Sequence, residues 1–316
     1  SKLVTIDCAH AKILSIDTAE AQKVEGVRLI LTARDLPQPV PRFGPQIEDR
    51  PVLADKEVKF HGEPVALVVA ETLEAAKEAA RLVHVDYEEL PAVFSIDQAL
   101  DPSDPLIMDP AIRPNDPRSH TNIFNEHHYG WGEIDESKAA LIVENTYSFP
   151  LVTHFCIEPP AFIAAPDKDG IALWSTIQHP YWLQKIMAKL LKLPLSKVRV
   201  YAPDPGGGFG GKQHAKYEPA VAFAALKVGQ PVRLVLTLEE SFQTMRRTSC
   251  ETHIRTGFQK DGIIVFQDIT ANYLLGAYID IADRVVGKGS YAAAGPYNIP
   301  AVRILARSIL SNTAPA

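Results

Sequence analysis

Between residues 198 and 219 the chain reads VRVYAPDPGGGFGGKQHAKYEP, with five glycines in the six positions 206–211 and Lys212 directly after them. Glycine permits positive φ and removes the Cβ atoms that would hold a neighbour away, so this run marks a loop that something approaches closely. Three chemical uses compete with a purely structural one. From Gly206 to Lys212 the spelling is GxxxxGK, as in a phosphate-binding loop, but Gln213 stands where such a loop needs Ser or Thr to hold magnesium. Gly206, Gly208 and Gly211 satisfy GxGxxG, yet Pro203 and Pro205 separate them from the preceding strand-like VRVYA, where a dinucleotide fold wants a tight turn. The third use is a backbone cradle for a bulky cofactor. Its N–H groups would form an anion-binding nest, with Phe209 as an aromatic wall. The structural alternative is a glycine turn packed against another backbone.

The rest of the chain narrows the field. Its 316 residues suggest about two domains. The net charge is −6 and no block of Lys or Arg stands out, so a nucleic-acid partner is not expected. No apolar run reaches the roughly 18 residues of a membrane span. The opening SKLVTIDCAH lacks a secretory pattern. The three cysteines, Cys8, Cys156 and Cys250, are scattered and odd in number, which fits a reducing compartment; a cytoplasmic location is the expectation. With no CxxC pair, an iron–sulfur cluster would have to be carried elsewhere.

Along the chain, KILSID and VRLILTA predict strands on either side of a helix-like TAEAQKVEG. EPVALVVA predicts a buried strand, and ETLEAAKEAARLV an amphipathic helix with Leu73, Ala76, Ala80 and Val83 on one face. Residues 101–122, with five prolines, read as a connection, and residues 105–137 are assigned to a linker. Strands are predicted over 139–149, 160–166 and 170–177. A helix is predicted over 180–192 with Trp182, Ile186, Leu190 and Leu191 inward, and another over 214–228 interrupted by Pro219. PVRLVLT, ETHIRTGFQ and GIIVFQDITANYLL predict further strands. Strands and helices do not alternate regularly, so the fold class is α+β.

Several further residues carry chemistry. His154, Cys156 and Glu158 alternate, and on a strand they would share a face able to bind a metal. His127 and His128 would point apart on a strand and are expected to be solvated. His214 closely follows the glycine loop. Tyr217 and Glu218 lie about a turn beyond it. Glu239 and Glu240 are expected to cap a helix start after Thr237.

Beyond the glycine loop, HFCIEP, LWSTIQHP and PVRLVLTLEESF occur in this order, after AHAKILSIDTAEAQKVEGVRLILTARDLP and PVLADKEVKFHGEPVALVVAETLEAAKEAARLVHVDYEELPAVFSIDQAL. In these motifs the chain resembles the molybdenum hydroxylases, the large subunits of xanthine dehydrogenases and aldehyde oxidases. The resemblance implies an α/β hammerhead domain over 1–104 and, after the linker at 105–137, the first half of a molybdopterin-binding domain over 138–316. It makes Gly206, Gly207, Gly208, Phe209, Gly210 and Gly211 the molybdopterin loop. Gln178 matches the family's glutamine that hydrogen-bonds an oxo ligand of molybdenum. Phe209 and Gly210 match the pair beside the metal, which no protein side chain ligates directly.

Arg284 falls where xanthine-oxidising members keep a substrate-orienting arginine; an ion pair with Asp280 or Asp283 is its alternative use. Gln213 replaces the glutamate of purine-oxidising relatives and bears on selectivity. Residues 246–249, RRTS, stand where many members read Arg-His-Pro.

The implied cofactor is molybdopterin or its cytosine dinucleotide form, with [2Fe–2S] and FAD on partner subunits. The implied chemistry is insertion of water-derived oxygen at an electron-poor carbon of an N-heterocycle or aldehyde. The second molybdopterin domain, with the family's general-base glutamate, is expected on another chain or segment, which leaves this chain inactive alone. The competing readings are a non-catalytic assembly scaffold and, more remotely, a nucleotide-binding protein.

Overall fold

Strand β1 (Lys2–Thr5) is followed by β2 (Ala11–Asp17), β3 (Val27–Thr32), the two-residue strands β4 (Arg42–Phe43), β5 (Arg50–Pro51) and β6 (Glu57–Val58), then β7 (Pro64–Ala70), helix α1 (Leu73–Leu82) and β8 (His84–Glu89). The computed structural model describes every residue except Met245. β7 is the apolar run PVALVVA, buried at six of its seven positions, and it takes the middle of an antiparallel sheet ordered β1-β7-β3. A second small sheet is ordered β6-β2-β8.

The Thr72 hydroxyl accepts the Ala75 N–H at 3.1 Å and caps α1. Its buried residues are Ala76 and Ala79, and Leu73, expected on that face, is exposed. Small side chains let a helix lie close to a sheet, so the face needs no leucine. TAEAQKVEG yields only a 3₁₀ turn at Ala21–Lys23, because so short a segment does not repay helix nucleation.

Two units divide the chain, each discontinuous in sequence. The first comprises Ser1–Ala92, Thr153–Arg246 and Asn312–Pro315; the second comprises Val93–Val152, Arg247–Ser311 and Ala316. The first unit adds β11 (Ala161–Asp167), β12 (Gly170–Ser175), α3 (Pro180–Leu191), β13 (Val198–Tyr201), α4 (Glu218–Val228), β14 (Val232–Val235) and α5 (Leu238–Thr244). Its four-stranded sheet is ordered β13-β12-β11-β14. β12 and β13 are parallel, which requires a crossover, and α3 supplies it.

The buried stripe of α3 is Leu183, Met187 and Leu190; of the expected Trp182, Ile186, Leu190 and Leu191, only Leu190 belongs to it. Both stripes have helical spacing, so periodicity alone does not choose between them. α4 begins at Glu218 with Pro219 in its first turn, where the missing N–H costs nothing; residues 214–217 are not helical. α5 has the expected cap. Thr237 Oγ1 accepts the Glu240 N–H at 3.2 Å, and Glu240 Oε2 accepts the Thr237 N–H at 2.7 Å.

The second unit holds α2 (Ile96–Leu100), β9 (Ile123–Trp131), β10 (Leu141–Phe149), β15 (Ser249–Phe258), β16 (Ile264–Gly276), α6 (Ala282–Tyr291) and β17 (Ala301–Leu310). Its sheet is ordered β10-β15-β16-β17-β9, with β16 and β17 parallel and α6 in the crossover. β9 lies within the stretch whose prolines marked a connection. The prolines end at Pro117, and IFNEHHYGW pairs with β17 although its pattern does not alternate cleanly.

Candidate cofactor site

The topology of the first unit gathers three segments. β12 and β13 run parallel and finish side by side at Trp174 and Tyr201. The segments leaving them, 176–179 and 202–217, therefore emerge at one edge of the sheet. β11 runs antiparallel to β12, so the segment entering it, 153–160, reaches the same edge. Carboxyl ends of parallel strands are common ligand sites, because backbone and loop donors converge there.

At this edge Gln178 and the glycine loop interlock. The Gln178 N–H donates to the Lys212 carbonyl at 2.7 Å, and its side-chain Oε1 accepts the Gly210 N–H at 3.2 Å. A tight turn is closed by the Gly211 N–H on the Gly208 carbonyl at 2.7 Å. Gly208 must be bare, since a Cβ there would lie 2.5 Å from Gln178 Oε1. Gly210 has φ +97°, a conformation that side chains oppose. Phe209, at φ +48°, is 75% exposed and leads out of the loop.

The segment holding His154, Cys156 and Glu158 is not a strand, yet all three residues approach the loop. Glu158 Oε2 accepts the Gly206 N–H at 2.8 Å and the Lys212 ammonium at 2.7 Å. The Cys156 thiol lies 3.5 Å from the Gly208 carbonyl, and His154 Nε2 would lie 3.7 Å from a Cβ on Gly210. Burial works against ionisation of Glu158, but the Lys212 ammonium and the Gly206 N–H outweigh it and hold the carboxyl below its ordinary value. Burial pushes the Cys156 thiol up, with Lys212 pulling the other way. Among the described residues no group of three or more His, Cys, Asp or Glu is placed to hold a metal ion.

Beneath the loop lies a cavity of about 10 Å³, close to the space of one water, lined in part by Ser175, Thr176, Lys212, His214, Lys216 and Glu218. Glu218 is buried at the start of α4. Its Oε1 accepts the Ser175 hydroxyl at 2.8 Å and its Oε2 the Lys216 N–H at 2.7 Å. Burial pushes this carboxyl above its ordinary value, against the pull of those hydrogen bonds. His214 is buried and its ring lies against His179 and Trp182. Tyr217 is buried with its ring edge-on to Phe162. Gln213 closes the loop through its N–H to the Gly210 carbonyl at 3.3 Å.

Arg284 belongs to the second unit, exposed on α6. Its neighbour Asp283 is buried and accepts the Ser308 hydroxyl at 2.6 Å and His127 Nε2 at 2.8 Å on one oxygen, and the Asn125 amide at 3.3 Å on the other. His127 is therefore not the solvated residue expected, although His128 does point away and is exposed. Burial opposes ionisation of Asp283, but the bonds from Ser308 and His127 hold its carboxyl below its ordinary value. A carboxyl with a lowered folded-state value contributes stability above the unfolded pKa, and that contribution is lost as pH falls through the folded one. Asp283→Asn is therefore expected to flatten the acid limb of the stability curve, below the ordinary carboxylate range near pH ~4. Urea midpoints measured from pH 7 down to pH 3 check this, and an unchanged acid limb contradicts it.

Neither the part of Glu158 nor that of Glu218 has a local signal in the sequence, since each is defined by partners far along the chain or by burial.

Comparison with known proteins bears on the whole chain. Residues 115–316 match the family described as the molybdopterin cofactor-binding domain, and residues 1–91 match the a/b hammerhead domain of aldehyde oxidase and xanthine dehydrogenase. The chain is 33% identical to a probable xanthine dehydrogenase subunit of Bacillus subtilis, over 96% of this chain and 40% of that protein. It is 32% identical to the nicotinate dehydrogenase large molybdopterin subunit of Eubacterium barkeri, over 96% of this chain and 70% of that one.

Among solved structures, the aldehyde oxidoreductase from Desulfovibrio gigas superimposes with a TM-score of 0.91 at 28% identity, over all of this chain and 35% of that one. Quinoline 2-oxidoreductase from Pseudomonas putida 86 gives 0.90 at 27% identity, over 99% of this chain and 41% of that one. The chain thus spans well under half of the Bacillus relative and of both these structures. No helix among the described residues is long and apolar enough to cross a membrane. With cofactor-binding and hammerhead domains both matched, in one α+β chain, the protein belongs to the molybdopterin-binding aldehyde oxidase and xanthine dehydrogenase family.

Proposed function

We propose that this chain is the molybdopterin-binding component of a cytoplasmic molybdenum hydroxylase. It would act on an electron-poor carbon of an N-heterocycle or aldehyde, with oxygen from water. Electrons would pass to [2Fe–2S] and FAD partner subunits, and a further chain or segment would supply the second molybdopterin domain. The observation that carries this is the Gln178 amide locked onto the Gly210 N–H beside an exposed Phe209. The residues fit such a group: a bare loop at a sheet edge, backbone donors, one fixed amide, and an aromatic side chain turned outward. When bound, the molybdenum–pterin group supplies the oxygen-transfer and redox chemistry.

The protein's share is to hold and polarise. With Oε1 committed to Gly210, Gln178 offers its Nε2–H₂ group as a donor to the cofactor. Gly206–Gly211 form the cradle. Phe209 walls the substrate's approach. Arg284 is the candidate cation for a substrate carbonyl or carboxylate. Gln213, in place of a carboxylate, favours substrates other than purines. A relative named for nicotinate supports a carboxylated N-heterocycle as the first substrate to try.

Elemental analysis of the natively purified enzyme containing this chain is expected to find about one molybdenum per copy. A fully assembled complex without molybdenum overturns the reading. Turnover screens against aldehydes and N-heterocycles then assign the substrate class.

A further inference from the structure

In a phosphate-binding glycine loop the lysine ammonium is itself the ligand. Here the Lys212 ammonium meets Glu158 Oε2 at 2.7 Å, and its side chain is only 3% exposed. The same oxygen accepts the N–H of Gly206, the first glycine of the run, at 2.8 Å. One carboxylate thus joins the residue that opens the loop to the residue that closes it. Gly206 makes this approach possible, because a Cβ there would stand 2.7 Å from the Glu158 Cβ. The Lys212 carbonyl in turn receives the Gln178 N–H, so the tie extends to the amide that holds Gly210.

We propose that Glu158 and Lys212 are positioning residues, a charge-neutral clamp. It fixes the span of the loop so that Gly210 and Gln178 stay in register, and it keeps the lysine's positive charge from serving as a ligand. The inference rests on the function proposed above. It adds that the loop addresses its cofactor through neutral N–H donors rather than through a fixed cation. Removing Glu158 alone strands the charge of the buried Lys212, while the Glu158 side chain is 34% exposed and keeps access to water; replacing both by neutral groups removes the stranded charge. A pair with no positioning role would therefore be restored by removing both charges, whereas the clamp would not, because the double variant also loses the tie from Gly206 to Lys212.

The test uses the complete enzyme carrying Glu158→Gln, Lys212→Met, or both. Three quantities are read: molybdenum per chain, kcat per bound molybdenum, and the electron paramagnetic resonance spectrum of the partly reduced enzyme. Each single variant is expected to lose about 10- to 100-fold in kcat per molybdenum, with a shifted spectrum and a KM changed less than about threefold. The double variant, free of the stranded charge, is expected to regain molybdenum loading but to keep the loss of kcat per molybdenum and the spectral shift, because the tie is still missing. Singles that match wild type in both kcat per molybdenum and spectrum overturn the clamp, as does a double variant that matches wild type in both.

If the singles fail to assemble, Glu158→Asp keeps the charge on a shorter arm. It is expected to load molybdenum yet show the same spectral shift and loss of kcat; wild-type behaviour of this variant overturns the clamp. A wild-type enzyme free of molybdenum overturns the functional reading instead, and this inference with it.

Discussion

An enzyme carrying Gln178→Ala is expected to keep its molybdenum and lose about 10²- to 10³-fold in kcat, the range seen when one preorganised donor is removed from a reacting centre. Its content should survive because the loop has other supports. The Gly211 N–H closes onto the Gly208 carbonyl, Gln213 onto Gly210, and Glu158 holds Gly206 and Lys212. The backbone N–H of residue 178 still reaches the Lys212 carbonyl after truncation. Only the amide, and with it the acceptor for the Gly210 N–H, is lost. Gly208→Ala should reproduce part of this effect with residue 178 unchanged in sequence, since its Cβ would fall 2.5 Å from Gln178 Oε1 and displace the amide. Turnover per bound molybdenum is the measurement, and unchanged kcat in Gln178→Ala removes the residue from the proposed machinery.

The second large effect is one of stability, at Glu218. This carboxyl is buried at the start of α4, and burial raises its folded-state pKa. A group raised in this way contributes stability that is fully present below the unfolded pKa and lost as pH rises through the folded one. It therefore opposes Asp283, whose contribution disappears on acidification. Glu218→Ala removes the acceptor for both the Ser175 hydroxyl and the Lys216 N–H, and an expected loss of about 2–4 kcal/mol follows from two stranded buried donors.

Glu218→Gln should behave differently. Its Oε1 can still accept the Lys216 N–H, while its amide donates to a Ser175 hydroxyl turned to accept. A neutral amide carries no charge-burial cost, so this variant is expected to equal or exceed the wild type near pH 7 and to gain relative to it as pH rises. Chemical denaturation at pH 5 and pH 8 compares the three proteins. A Gln variant as unstable as the Ala variant would mean that the ionised form is required.

Much of the fold was legible because its elements announce themselves locally. PVALVVA reads as a buried strand, residues 180–192 have helical spacing, and Glu239 and Glu240 follow Thr237 as at a helix start. What escaped depended on partners distant in sequence. β9 carries two adjacent histidines and no clean alternation, and its identity as a strand comes from β17, more than a hundred residues later. The inward stripe of α3 is set by the sheet it covers, which periodicity does not reveal. His127 looked solvated until β9 was placed beside α6, where Asp283 takes its ring nitrogen.

At the glycine loop the sequence showed that something must come close. It did not show that Glu158, some fifty residues earlier, is one of the things that does. The same residue had suggested a metal face because alternation was read as a strand. The segment is irregular, and its three side chains approach the loop for a different reason: it enters β11 at the edge where β12 and β13 end.

The interleaving of the two units has a consequence during synthesis. The first unit has nearly all of its chain once Arg246 has left the ribosome, and its strands can pair at once. β9 has emerged long before, but its neighbour in the sheet, β17, ends at Leu310. At ordinary elongation rates that strand waits roughly 10 to 40 s with its hydrogen-bonding edge unpaired. β10 waits for β15 in the same way, with Leu141, Val143, Tyr147 and Phe149 all exposed even once the strand is paired. Residues 123–149 of the nascent chain are thus open to misassociation for that interval, and shielding this stretch is what a chaperone would have to do.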